Sequence, residues 1–591
     1  MLKMEQKDNK SVDKVSIQVD SPDLNPSSTS RQRATIWDFK ARGEPFVWSL
    51  GGALAIGVLM IVGFVALILY NGALTFYPRP IAVVELKDGS RVAGDLMRSE
   101  IFVPVAEDIA HLGAEEKATI EKNGGRSQRL LLRTGNFDFY NEDFKWVPEY
   151  NIVKKSHPGN ILFVERLEWG PFIGFAKSLD LNGRVIGQND LTWDILEQAV
   201  DDAALRRQRI HEIERTDIGA INHFLERARL ALRKVELRHG LESPEYAQEL
   251  KNYKSETEKL NLQYQELASE AAAVKQMDSN FSILLEEING KTRKLPVSQI
   301  TRLYPPNELK VEDKVWIYLS RWYEFLTQEP REANTEGGVM PAIFGTFCMT
   351  VLMALAVAPF GVVAALYLRE YAKQGKLVSL IRICVNNLAG VPSIVYGVFG
   401  LGFFAYVLGG SIDQLFFPER LPNPTFGSGG LLWASLTLAL LTVPVVIVAT
   451  EEALAAVPQS MREGSLACGA SKWQTIKWIV LPRAMPGIMT GLILAMARGA
   501  EEVAPLMLVG VVKMAPQLPV DSFFPFIHLE RSFMHLGFHI FDLGFQSRNS
   551  EAAIPMVYVT TLLLISLVFA MNIVSIIIRN RLKRKFFTGH F

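Results

Sequence analysis

The chain has 591 residues, 49% of them apolar, and its 62 Lys and Arg balance 62 Asp and Glu. That neutrality argues against a nucleic-acid partner, and three cysteines in so long a chain exclude a disulfide-stapled scaffold. The length allows several domains, and the apolar residues fall in a few long runs.

Residues 1–45 are polar, rich in Ser, Asp and Lys, and read as a disordered cytoplasmic tail. Residues 46–70 carry no charged side chain. A helix rising about 1.5 Å per residue needs only about 20 residues to cross a bilayer core, so this run spans. No small-residue cleavage site precedes it, which predicts an uncleaved anchor. Further spans are predicted at 339–368, 377–408, 431–450, 487–512 and 554–578, six in all. Basic residues cluster before the first (Arg31, Arg33, Lys40, Arg42), after the second (Arg369, Lys373, Lys376) and after the last, where "RNRLKRK" opens a basic tail at 579–591. The positive-inside rule then places both termini in the cytoplasm and residues 71–338 outside the cytoplasmic membrane, which for a bacterial inner-membrane protein is the periplasm. The expected fold class is an α-helical polytopic membrane protein, its five-helix core at 339–578, with a large α+β insertion.

The insertion contains no cysteine and is long enough to fold on a hydrophobic core. "VVELKDGSRVAGDLM" alternates apolar and polar residues about Asp88-Gly89, and "SILLEEINGKTRKLPV" does so about Asn289-Gly290, so both predict β-hairpins. Residues 195–277 change to helical spacing: Leu250, Tyr253, Thr257, Leu260, Tyr264, Leu267, Ala271 and Val274 on one stretch, Ile221, Phe224, Ala228, Ala231 and Val235 on another. Gly240 can end one helix while Ser243 and Pro244 begin the next, which predicts an antiparallel helical hairpin; a coiled-coil dimer is the rival arrangement.

No phosphate-binding G-x-x-x-x-G-K-[ST] loop, H-E-x-x-H pair or zinc-spaced Cys/His cluster occurs, so neither an intrinsic ATPase nor a cofactor is expected. His528, His535 and His539 in "HLERSFMHLGFH" could suggest a metal, but no carboxylate or cysteine completes a set in this reading. An amphipathic interfacial helix carrying Phe524, Phe526, Phe533 and Phe538 is the plainer account.

Between the fourth and fifth spans, residues 451–486 form a polar cytoplasmic segment. Glu463-Gly464-Ser465, then Gly469, then Ile479 and Leu481-Pro482 resemble in spacing the EAA loop of ABC importer permeases. The resemblance implies short coupling helices that dock on an ATPase subunit, with Gly469 at the close-approach turn. Gly464 and Ser465 replace the usual alanines with other small residues. "NNLAGVPSIVYGVFGLGFF", "ARGAEEVAPLMLVG" and "FMHLGFHIFDLGFQS" resemble the matching segments of phosphate-importer permeases of the PstA type, in their long variety. One departure is Glu501-Glu502-Val503 where that family commonly has Gly-Glu-Thr. The resemblance implies an ABC importer permease fold and a transporter subunit without its own ATPase. It further implies a second permease chain (PstC type), a cytoplasmic ATPase dimer (PstB type) and a periplasmic phosphate-binding protein (PstS type) as partners, beside membrane lipid.

In the physical reading, Arg498 falls near mid-membrane, where a charge must face the bundle interior, a wet cavity or a partner such as Glu502 at i+4. Arg498 could offer a bidentate guanidinium to phosphate, with Glu501 and Glu502 beside it, or the Arg and Glu could pair only with each other. Pro392 and Ser393 could open a helix end toward an anion, or merely kink the chain with Gly390. Two alternatives stand: a permease for another inorganic oxyanion, and a membrane-anchored sensor or scaffold that recruits partners through its helical hairpin.

Overall fold

The computed structural model describes residues 44–105, 113–515, 517–547 and 549–587. The predicted disordered tail lies outside these residues except for positions 44 and 45, which already belong to the first helix. Contacts separate Met1–Ala66 from Leu67–Phe591. In the first unit the described residues are one helix, apolar on all sides and exposed.

Six helices among the described residues are long and apolar enough to span: Phe46–Leu74, Met340–Tyr371, Ser393–Phe416, Leu431–Ala455, Lys472–Glu501 and Ser550–Arg584. Two differ from expectation. The third begins at Ser393, because the run predicted from position 377 breaks after a separate helix, Lys376–Leu388. Pro392 supplies no amide hydrogen and disfavours helix at Val391, so the chain turns there. The fifth span is shifted toward the N-terminus and stops at Glu501 instead of continuing to position 512. Its start tolerates Pro482 because a π-helical turn, Ile476–Val480, precedes the helix that opens at Leu481. The last helix continues through Phe587, so the basic residues from Arg579 to Arg584 are helical.

The second, fourth and fifth spans form the core of the membrane domain, with Met349, Met353, Leu438, Leu441, Val446 and Ala495 buried between them. Small residues set their spacing. A Cβ at Gly361 would collide with Val446, at Gly491 with Ala449, and at Gly487 with Ala453.

The insertion is layered. Strands β1 (Ile81–Leu86), β2 (Arg91–Phe102), β3 (Ser127–Arg133), β4 (Phe144–Pro148) and β5 (Ile152–Ser156) form one antiparallel sheet in the order β4-β3-β2-β1-β5. Strands β6 (Leu162–Arg166), β7 (Phe172–Leu181), β8 (Arg184–Gly187), β9 (Phe281–Glu286), β10 (Thr292–Pro296) and β11 (Ile300–Tyr304) form the second, in the order β10-β9-β7-β6-β11 with β8 on β7. Alternation along β1 sends Ile81 and Val83 toward Phe163, Ile173 and Tyr304 of the second sheet, while Ala82 and Val84 pack with Val92, Leu132 and Val147. Both predicted hairpins are present, β1–β2 turning at Gly89 and β9–β10 at Gly290, each glycine at positive φ.

The helical hairpin enters between β8 and β9. Its first arm is Trp193–His211, a π-helical turn Glu212–Asp217, and Ile218–His239; its second is Pro244–Ser279. Gly240 turns at φ +82°, and Ser243 Oγ accepts the Tyr246 amide to open the second arm at Pro244. Leu196, Ala199, Val200 and Ala203 bury one face on the second sheet, and Arg206–Asp278 (2.9 Å) and Arg209–Glu270 (2.7 Å) join the arms. The pairing is within the chain. The first arm also meets the membrane domain, with His223 stacked on Phe523 at 4.3 Å and Lys234 3.8 Å from Glu419.

A connector helix, Val311–Thr327, leads from β11 toward the second span. It is fixed by a buried charge network: Arg302 bridges Glu165 (2.6 Å) and Glu324 (3.0 Å), Arg321 pairs with Glu165, and Arg331 with Glu324. Burial opposes the Glu165 charge, but Arg321 and Arg302 together outweigh it and hold the carboxyl at about 2.

Candidate functional site: a glycine turn and a broken-helix charge pair

The polar segment between the fourth and fifth spans folds as two helices around a tight turn. Helix Gln459–Ala467 ends at Cys468, Gly469 takes φ +83°, and Ser471 opens the next helix through a capping box with Gln474 (2.8 and 3.2 Å). Ser465 Oγ lies 2.9 Å from Thr475 Oγ1, locking the two helices together. Arg462 donates to the Leu454 carbonyl (2.6 Å) and pairs with Glu370 (3.1 Å), and Lys472 reaches the Glu370 carbonyl, so the turn is tied to the end of the second span.

Glu463, Gly464 and Gly469 are exposed on this turn, as are Leu466, Trp473 and Trp478. Ile479, Leu481 and Pro482 are half-buried at the root of the fifth span, where they anchor the turn. Nothing lies within 4 Å of a Cβ built on Gly469. The backbone conformation, rather than crowding inside this chain, therefore demands glycine there.

At the other end of the fifth span, Arg498 lies in the last helical turn, Glu501 is the exposed final residue, and Glu502 is already extended. The expected position of Arg498 deep within a longer helix is thus corrected: the helix ends three residues after it, where a guanidinium complements the negative end of the helix dipole. Arg498 Nε and Glu502 Oε1 are 3.7 Å apart, and both side chains retain partial exposure. Pro392 is exposed at the N-cap of the third span and Ser393 is its first helical residue. Tyr396, which the sequence reading missed, donates to the Leu388 carbonyl across the break (2.6 Å) and lies within electrostatic reach of Arg498. Gly397 packs against Pro505, so the start of the third span and the end of the fifth share one neighbourhood. Arg382, paired with Glu451 at 3.3 Å, was also missed; a charge inside an apolar run was the available signal that 377–388 is no span.

The three histidines are not on one helix. Pro519 and Pro525 interrupt the segment, and helix begins only at Leu536, which overturns the expected interfacial helix through Phe524, Phe526 and Phe533. His528 sits 3.0 Å from both Asp521 and Glu530, whereas His535 accepts the Gly537 amide at 3.1 Å. His535 and His539 are buried, and burial pushes both down to about 4. Asp521 and Glu530 lie on opposite ring nitrogens of His528, and among the described residues no three His, Cys, Asp or Glu side chains are placed to hold one metal ion. A cavity of about 800 Å³ lies elsewhere, between the sheets and the span ends, lined by Arg79, Asp95, Arg133 and Glu165 among others.

Residues 357–587 match the family of binding-protein-dependent transport system inner membrane components. The match takes in 231 of the 591 residues. The chain is 37% identical over 205 residues to the probable ABC transporter permease protein YqgH of Bacillus subtilis, covering 34% of this chain and 62% of that protein. It is 37% identical over 198 residues to the phosphate transport system permease protein PstA 1 of Mycobacterium tuberculosis H37Rv (33% of this chain, 58% of that one). To PstA of Haemophilus influenzae it is 35% identical over 185 residues (31% and 59%). The chain thus spans about three-fifths of the length of these curated relatives. The membrane domain is thus similar in sequence to ABC transporter permease proteins, PstA among them.

Proposed function

We propose that the chain is the permease subunit of an ABC importer that carries inorganic phosphate across the cytoplasmic membrane, driven by ATP hydrolysis in separate subunits. The observation that carries this reading is the exposed, glycine-turned helix pair at 459–475, rooted on two spans within the segment that matches the permease family. Such a rigid projection can transmit a push from an ATPase dimer to the spans. Similarity to the PstA proteins supports phosphate as cargo. In this reading Glu463, Gly464, Ser465 and Gly469 meet the ATPase, while Arg498, Glu501, Glu502, Pro392 and Ser393 border the anion path. A second permease chain completes that path, and a periplasmic binding protein delivers phosphate. Residues 71–338 are then periplasmic and both termini cytoplasmic. The test is reconstitution with the ATPase, second permease and binding protein in vesicles: labelled phosphate should accumulate only with ATP. ATP-dependent uptake of another oxyanion in preference to phosphate would replace the cargo assignment, and assembly without any uptake would reject transport.

A further inference from the structure

The connector helix has two apolar faces, and only one is used inside the chain. Its inner face buries Ile317 against Ile81, Phe163 and Tyr304, and Phe325 among Val339, Ala342, Ala553 and Met556. Its outer face carries Val311, Val315, Trp316, Leu319, Tyr323 and Leu326, all exposed, Trp316 by 74% and Tyr323 by 70%. At about 100° per residue these six fall within an arc of roughly 140°, in which Glu312, in the first turn, is the one charged residue. Water alone is a poor neighbour for such a face.

Position identifies the neighbour. Phe76, just past the end of the first span, lies 5.2 Å from both Trp322 and Phe325, and Tyr77 lies 6.4 Å from Tyr318. Arg321 also donates to the Phe76 carbonyl (3.2 Å). The helix is therefore clamped beside the end of the first span, where Tyr70, Leu74 and Tyr77 are exposed apolar residues too. Trp and Tyr with aliphatic neighbours are the composition of a bilayer interface, where amphipathic rings sit at headgroup level. We infer that the outer face of Val311–Thr327 rests in the lipid interface, so that the insertion is seated on the bilayer as well as joined to the spans.

The test uses the full chain in phospholipid nanodiscs, with Cys348→Ser, Cys384→Ser and Cys468→Ser as background. Spin labels are placed singly through Trp316→Cys, Leu319→Cys, Tyr323→Cys, Leu326→Cys and, as the polar control, Asp313→Cys. Collisions with oxygen should exceed those with a water-soluble nickel chelate at the four outer positions and fall below them at Asp313→Cys. Nickel excess on the outer face would overturn the inference in favour of water, and exclusion of both reagents would overturn it in favour of a covering protein. A second measurement needs no cysteine: brominated lipids should quench the native chain more than Trp316→Phe. Equal quenching of the two would also overturn it.

Discussion

The insertion and the membrane domain solve the same packing problem with opposite materials. In the insertion, charges are buried on purpose: Glu165 and Glu324 are held by Arg302, Arg321 and Arg331, and Arg166 is buried against Asp138 at 3.2 Å. In the membrane domain, helices meet through Gly361, Gly487, Gly491 and Gly499, and the pairs Arg498–Glu502 and Arg462–Glu370 sit at a span end and at the Gly469 turn. Water is available to the unfolded insertion, so register and ion pairs must specify it. In lipid, burial of apolar surface cannot drive helix association, and close approach takes its place.

If the Gly469 turn couples the spans to an ATPase, as proposed, the largest effect should come from Gly469→Trp. That substitution sets a bulky side chain at a positive-φ turn on the exposed face, and uptake should be abolished while membrane insertion is retained; normal uptake by the fully expressed complex would reject the assignment. Next, Arg498→Ala should stop phosphate uptake. Glu502→Gln should leave assembly intact and narrow the preference for phosphate over sulfate, since only hydrogen phosphate has a proton to donate to that carboxylate. An unchanged ratio in assembled Glu502→Gln vesicles would leave the pair a structural one.

On the insertion side, Glu165→Gln strips the shared partner from Arg321 and Arg302 and should destabilise the connector by about 3 kcal/mol, read as faster proteolysis near the end of the first span. Protection equal to the native chain would show that the network is dispensable.

A pH effect should separate the regions further. His535 and His539 titrate at about 4 when folded and near the ordinary 6.5 when unfolded, so between these values the unfolded chain binds more protons. Their contribution is complete above about 6.5 and is lost as pH falls toward 4, about 2 kcal/mol each at pH 5. Glu165, ordinarily near 4.5 and held at about 2, keeps its contribution down to the ordinary value and loses it only below that. The thermal midpoint of the membrane domain should therefore drop from pH 7 to pH 5, and His535→Gln should flatten the drop; identical slopes would refute the assignment. The smallest expected effect is from replacing 205–273 with a short flexible linker. The hairpin touches the membrane domain at Phe523 and Glu419, away from the Gly469 turn, so basal transport should be reduced less than by Gly469→Trp. Complete loss in an assembled deletion would place the hairpin in the core mechanism.

Much was legible in the sequence because it is local. Span length, the Asp88-Gly89 and Asn289-Gly290 turns, the helical spacing on either side of Gly240 and the spacing around Gly469 are all consequences of covalent geometry and hydropathy over a few residues. Span ends were not legible, since hydropathy registers an average and cannot see a broken helix: it merged Lys376–Leu388 with the third span and ran the fifth past Glu501. The order of the two sheets, the seating of Tyr396 across the break and the clamp of Glu165 between two arginines join residues far apart in sequence. Those pairings depend on which surfaces remain once each element has buried its own apolar face, and only the folded chain decides that.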